Sequence, residues 1–307
     1  MERSANAVIG DAARRVAARR GTAALPAVAP RWHSWKRPLR QGNIIVGLLI
    51  VTVLAIMAVT APWVAPHDPT LNDLTHALRR PGTAGFLLGT DNLGRDILSR
   101  IIWGSRISLT VGVVVQSIAI LIGALLGLVA GFYGGWTDDV VSGLTNVMFA
   151  LPRLLLAMAI VAALGPGMFN LFIALGMVGW PAICRLVRAQ TLSLCGKNFV
   201  EGARAVGATD LRIITRHILP NALSPIIVLG TLGMAHTILA EASLSFLGLG
   251  IQPPTPSWGT MMSRGQAYIW HAPWLMLYPG LAVLMSVVGL NLLGDGLRDI
   301  LDPHVRR

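Results

Sequence analysis

The chain has 307 residues, of which 54% are apolar and only 13% charged, and its mean hydropathy is +0.64. Soluble domains are about one quarter charged, so this balance excludes a soluble enzyme and a disordered scaffold. The formal charge of +11 would suit nucleic acid, but there is no basic face with interleaved aromatics; the cations fall between long uncharged runs.

Residues 44–65, 107–137 and 154–184 carry no charge, as a bilayer core about 30 Å thick requires of the helices that cross it. Apolar runs punctuated by Gly, Pro and charge predict an all-α membrane protein with six transmembrane helices. They are drawn at Ile44–Val64, Ser108–Tyr133, Leu144–Leu164, Met168–Cys184, Ser224–Leu247 and Leu275–Leu293. Only Gly165, Pro166 and Gly167 separate the third from the fourth, so these two should be neighbours. Lys and Arg divide eighteen to six between alternate connecting segments, with Arg153 inside a span. The positive-inside rule then places both termini in the cytoplasm.

The first 43 residues are rich in Ala and Arg and read as a mobile, basic cytoplasmic tail. A signal peptide needs a short apolar run directly after its basic residues; here the first such run starts at Ile44 and is long enough to span. The pairs Arg14-Arg15 and Arg19-Arg20 therefore read as topological charge rather than a twin-arginine signal. Cys184 and Cys195, without histidine neighbours, are expected as free thiols in a reducing compartment. The spacings Gly123–Gly127 and Gly127–Gly131 predict close helix packing in lipid.

The segment Phe199–Asn221, FVEGARAVGATDLRIITRHILPN, has apolar residues at helical spacing on both sides of Gly207. The spacing predicts two short amphipathic helices. Gly207 would end the first in the left-handed conformation, Thr209 or Asp210 would cap the second, and Pro220 would stop it. From physics alone the pair either rests on lipid or docks a soluble cytoplasmic partner. The triplet Glu201-Gly202-Ala203, then Gly207, then Leu219-Pro220, resembles the EAA loop of ABC importer permeases, whose coupling helices sit in a groove of each ATPase subunit. Gly202 stands where Ala is usual and His217 where Ile is usual. The resemblance implies a coupling role for Glu201, Gly202, Ala203, Arg204, Gly207, Ala208, Arg212, Leu219 and Pro220.

GTDNLGRD (Gly89–Asp96), ASLSFLGLGIQPPTPSWG (Ala242–Gly259) and NLLGDGLRDILDP (Asn291–Pro303) narrow the resemblance to the dipeptide, oligopeptide and nickel permease group, and to the second of its two permease subunits. Asp91 is expected to cap a helix entering the membrane interface, and the proline-rich outer loop suits contact with a binding protein. The resemblance implies the type I ABC importer permease fold. Its parts would be a tail (1–43), a first transmembrane helix (44–65), a periplasmic segment with an interfacial helix (66–107), a five-helix core (108–303) holding the cytoplasmic coupling loop (195–222), and a short tail (304–307).

Ionisable residues inside membrane spans are functional candidates by default. Arg153, behind Pro152, either lines a central path, where it would attract a peptide carboxylate, or snorkels to the headgroups. Glu241 is either a pathway carboxylate or a hydrogen-bonded or ion-paired group inside the bundle. Asn146 and Gly143 stand where the family commonly has Asp and Arg, which puts that ion pair in doubt here. No GxxxxGK[ST] occurs and the seven histidines are scattered, so no ATPase motif, metal site or cofactor is expected in this chain.

The resemblance implies uptake of dipeptides and oligopeptides across the bacterial inner membrane. The partners would be a paralogous permease, two ATPase subunits that bind ATP and magnesium, and a periplasmic solute-binding protein. Import of nickel or another small solute is the alternative within the family. An ion-coupled secondary transporter is the alternative outside it, although neither repeated halves nor mid-membrane coupling-ion carboxylates are evident.

Overall fold

The computed structural model describes residues 36–301, with side chains from residue 42 onward. The expected basic tail, as far as residue 35, and the expected tail 304–307 lie outside the described residues. Contacts divide the chain into Met1–Leu39 and Arg40–Arg307. Of the first unit, only residues 36–39 are described.

The described residues are built into helices: α1 (Lys36–Val64), α2 (Ile97–Tyr133), α3 (Gly135–Ala150), α4 (Arg153–Leu164), α5 (Met168–Cys195), α6 (Asn198–Ala205), α7 (Asp210–Ile213), α8 (Leu219–Phe246), α9 (Trp258–Gly265) and α10 (Trp274–Leu301). Among the described residues, five elements are long and apolar enough to cross a membrane, and a helix pair bent by 90° makes up to six if it is counted as one span. Five of the six expected spans are thus continuous, and the third is this bent pair.

The break falls inside the third expected span, Leu144–Leu164, at Pro152. Leu151 and Pro152 are both extended, and Pro152 becomes the N-cap of α4. A proline inside a helix removes one backbone donor and clashes with the preceding turn; with the pre-proline residue also driven extended, the helix ends and a new one starts. The connection expected between Tyr133 and Leu144 shrinks to Gly134 alone (φ +64°), with Asp138 already in the first turn of α3.

Helix α2 starts at Ile97, well before the expected Ser108, and is 37 residues long, about 55 Å at 1.5 Å per residue. Asp96 caps it by accepting the Ser99 N–H at 3.0 Å. Asp91, the expected cap, instead holds the preceding turn, accepting the N–H groups of Leu93 and Arg95.

The glycine spacing does bring helices close. A Cβ built on Gly123, Gly127 or Gly131 of α2 would lie 2.6–2.8 Å from the backbone of Trp180, Cys184 and Arg188 on α5, so only glycine permits this approach. The tight turn between α4 and α5 also forms, with Asn170 Nδ2 donating to the carbonyls of Leu164 and Gly165. Cys184 and Cys195 are free thiols.

Candidate functional site

The segment after α5 is fastened to the bundle by one apolar face. Val200 of α6, Ile213 of α7 and Ile218 are fully buried, and they join Leu128 of α2 and Ile183 and Val187 of α5 in one cluster. The guanidinium of Arg204 lies over the Phe132 ring at 5.3 Å, which ties α6 to the end of α2. Phe199 faces His217 with ring centroids 6.3 Å apart.

Gly207 closes α6 as its sequence position predicts. Its φ is +83°, its N–H donates to the Arg204 carbonyl, and the Ala208 N–H donates to the Ala203 carbonyl at 3.0 Å. That pair of bonds is the Schellman termination, which uses orphan carbonyls at a helix end and favours glycine in the left-handed position. Thr209 occupies the N-cap of α7, but its side chain makes no capping bond.

Pro220 does not stop the second helix. From Asp210 the chain passes through a π turn, Ile214–Ile218, straight into α8, giving one 37-residue apolar element. Pro220 falls in the first turn of α8, where its missing N–H costs nothing because the wider turn has already shifted the bonding register. Residues 198–220 therefore form one short helix, one glycine turn and the start of a long apolar helix.

Its other face is open. Glu201, Gly202, Arg204, Arg212 and Pro220 are exposed, and between the charges stand Val206, 90% exposed, and Leu211, 71% exposed. Ala203, Ala208 and Leu219 are half-buried, at the seam between the two faces. Beside this segment a cleft of about 640 Å³ opens between α5, α8 and α10, bordered by Gln190, Asn221, Ser224 and Arg298.

The two ionisable candidates do not meet. Arg153 is not in mid-helix, as expected, but is the first residue of α4 at the break, and its side chain is exposed. Glu241 is fully buried in α8. Among the described residues it pairs with no arginine; Ser108 Oγ of α2 donates to it at 3.2 Å and Ser245 Oγ at 2.8 Å.

Sequence reading missed the ties that fix the broken span. Arg188 of α5 pairs with Asp138 of α3, and Arg185 donates to Asn146 Oδ1 at 3.2 Å while lying over the Phe149 ring at 4.2 Å. Asn146 is thus tethered to an arginine without being acidic. The partners are 39 and 50 residues apart, beyond any local periodicity.

Comparison with known proteins gives a consistent picture. Residues 123–307 match the family described as binding-protein-dependent transport system inner membrane component. Residues 30–81 match the N-terminal TM domain of oligopeptide transport permease C. The chain is 44% identical over 283 residues to the di/tripeptide transport system permease protein DppC of Pseudomonas aeruginosa, covering 91% of this chain and 93% of that protein. It is also 44% identical to the glutathione transport system permease protein GsiD of Escherichia coli, covering 92% and 95%. Among solved structures it resembles a chain of the MetNI methionine ABC transporter with a TM-score of 0.55, 19% identity and coverage of 67% of this chain and 98% of that one; at that identity the likeness concerns the fold.

Proposed function

Because the chain belongs to the family of binding-protein-dependent transport system inner membrane components, we propose that it is a transmembrane permease subunit of an ATP-driven importer of dipeptides and oligopeptides. The substrate class rests on relatives named for di/tripeptide and glutathione transport. The observation that carries the coupling role is the two-faced segment 198–220. Val200, Ile213 and Ile218 root it in the bundle, while Val206 and Leu211 stand out among charges on the opposite face. Apolar side chains so exposed, rimmed by polar ones, mark a protein partner's docking site.

In this reading the permease lies in the bacterial inner membrane with both termini in the cytoplasm and forms the pathway with a paralogous permease. ATP and magnesium are bound by two ATPase subunits that receive the 198–220 segment, and an external solute-binding protein delivers the substrate. The chain itself carries out no bond chemistry. Because α7 is continuous with α8 through the π turn, a push on Leu211 or Arg212 is transmitted directly along a 37-residue element. Closure of the ATPases then tips a rigid helix group and switches the side to which the pathway opens. In the same reading Arg153, exposed at the break, would meet an anionic substrate group, while Glu241 helps to bind α8 to α2.

Deletion of 201–207 tests the coupling role: the permease should insert in the membrane but lose both its ATPases on purification and all uptake. An ion-coupled carrier would keep uptake. A ligand screen on the cognate binding protein, peptides of several lengths against nickel complexes, tests the substrate; preference for the metal would overturn the peptide assignment.

A further inference from the structure

At the end of the bundle opposite the 198–220 segment, three arginines converge on one carboxylate. Arg95 and Arg100 are 3% and 2% exposed, and Arg264 of α9 reaches the same cavity, whose wall includes Asp91, Ile97 and Met261. Asp91 is fully engaged. One oxygen accepts the N–H groups of Leu93 and Arg95, and the other accepts Arg95 Nε at 2.7 Å. Arg100 Nε stands 3.8 Å from that second oxygen, and its Nη1 donates to the Pro69 carbonyl. The next carboxylate, Asp96, accepts the Ser99 N–H and hydroxyl on Oδ2, which also faces His67 at 3.4 Å, while its buried Oδ1 has no hydrogen-bond partner.

That leaves positive charge without a counterpart. Arg95 Nη2 lies 2.6 Å from Asp91 Oδ2, yet neither of its N–H bonds is aligned on an acceptor. Arg264 makes no hydrogen bond or ion pair with any described residue. Its burial, reinforced by the charge of Arg95, holds its guanidinium below the ordinary arginine value. Arg95 and Arg100 are buried and Arg264 is half-buried; buried guanidiniums are tolerated when paired and hydrogen-bonded, and one carboxylate does not complete this for the group.

We propose that the cavity bounded by Asp91, Arg95, Arg100 and Arg264 binds one small inorganic anion of the chloride class. Size sets the class. The cavity offers about 20 Å³ to a water-sized particle, and a single water needs roughly 10–15 Å³ on that measure. A monatomic anion fits that space. The bound anion would take the free N–H groups of Arg95 and Arg264 and clamp the 91–100 turn against α9. Since α9 packs on α8 and α10, the site would stiffen this end of the bundle.

The test uses the assembled transporter in lipid nanodiscs, with its unfolding midpoint followed as chloride or bromide replaces gluconate at fixed ionic strength. The expected result is a saturable rise, roughly 2–4 °C for each tenfold increase above Kd, with the halide response weakened at least tenfold in concentration by Arg264→Gln. Should that variant fail to assemble, anomalous scattering from bromide-soaked crystals of the unaltered transporter decides, with a peak expected between Arg95 and Arg264. A midpoint indifferent to halide, a response unchanged in Arg264→Gln, a bromide map empty at the cavity, or stabilisation seen only when the binding protein is added would each overturn the proposal.

Discussion

Arg188 on α5 closes two arms of its guanidinium, Nε and Nη2, onto the two carboxylate oxygens of Asp138 on α3. Both side chains are partly shielded, and a two-pronged charge-assisted pair has defined direction as well as strength. It fixes the start of the broken span against the helix that α2 grips through its glycines. Asp138→Asn should lower the unfolding midpoint by the equivalent of about 1–2 kcal/mol. Arg188→Gln added to it should cost little more, since the interaction is already lost. A double-mutant cycle on the purified complex measures this coupling; additive losses would show that the pair does not hold α3.

The apolar spans and the glycine contacts follow from sequence because they depend on hydropathy and spacing within one segment, whereas the extension of α2 back to Ile97 rests on the Asp96 cap and was not foreseen. The break at Pro152 was partly legible: a proline announces a kink, but the 90° turn depends on the tethers from Arg185 and Arg188 of α5, which reach back 39 and 50 residues. The same limit applies to Arg95, Arg100 and Arg264, whose convergence depends on how α9 folds back over α2. Pro220 misled for a different reason. A proline stops a helix only if its N–H is needed, and the π turn at Ile214–Ile218 removes that need without leaving a compositional mark.

Gly202 and Gly207 should respond in opposite directions to alanine. A Cβ on Gly202 meets nothing within 4 Å, so Gly202→Ala should stabilise α6 by about 0.5–1 kcal/mol and leave ATPase association intact. Gly207 also has open space, but its φ of +83° disfavours a side chain by about 1–2 kcal/mol. Gly207→Ala should therefore loosen the turn and reduce ATP-driven uptake. Amide exchange across residues 198–210 in the two variants, read beside uptake, separates them; equal behaviour would remove the case for a left-handed requirement at Gly207.

The exposed apolar pair gives a sharper test of docking. Val206→Asp and Leu211→Asp alter side chains that no fold contact needs, so insertion and midpoint of the permease should stay unchanged. Each should cost about 2 kcal/mol of partner affinity, roughly a thirtyfold weaker complex. Ile218→Asp, which puts a charge into the fully buried cluster beneath, should instead destabilise the permease itself. Co-purified ATPase per permease, set against the yield of folded protein, distinguishes the two outcomes.

The buried carboxylate and the exposed arginine should part company under neutral substitution. Glu241→Gln keeps an acceptor for one serine and matches the shape, and the Ser108 and Ser245 hydroxyls can turn to donate or accept. If Glu241 serves only to join α8 to α2, uptake should persist, with a stability change near 1 kcal/mol. Arg153→Gln touches no contact that holds the fold together, so its midpoint should not move, whereas uptake of peptides with a free terminal carboxylate should fall several-fold. Amidated peptides that the binding protein still delivers provide the control: if Arg153 attracts that carboxylate, their uptake should be equally slow with and without the substitution. A loss common to both peptide classes would mean that Arg153 acts on the conformational switch at the broken span rather than on the substrate.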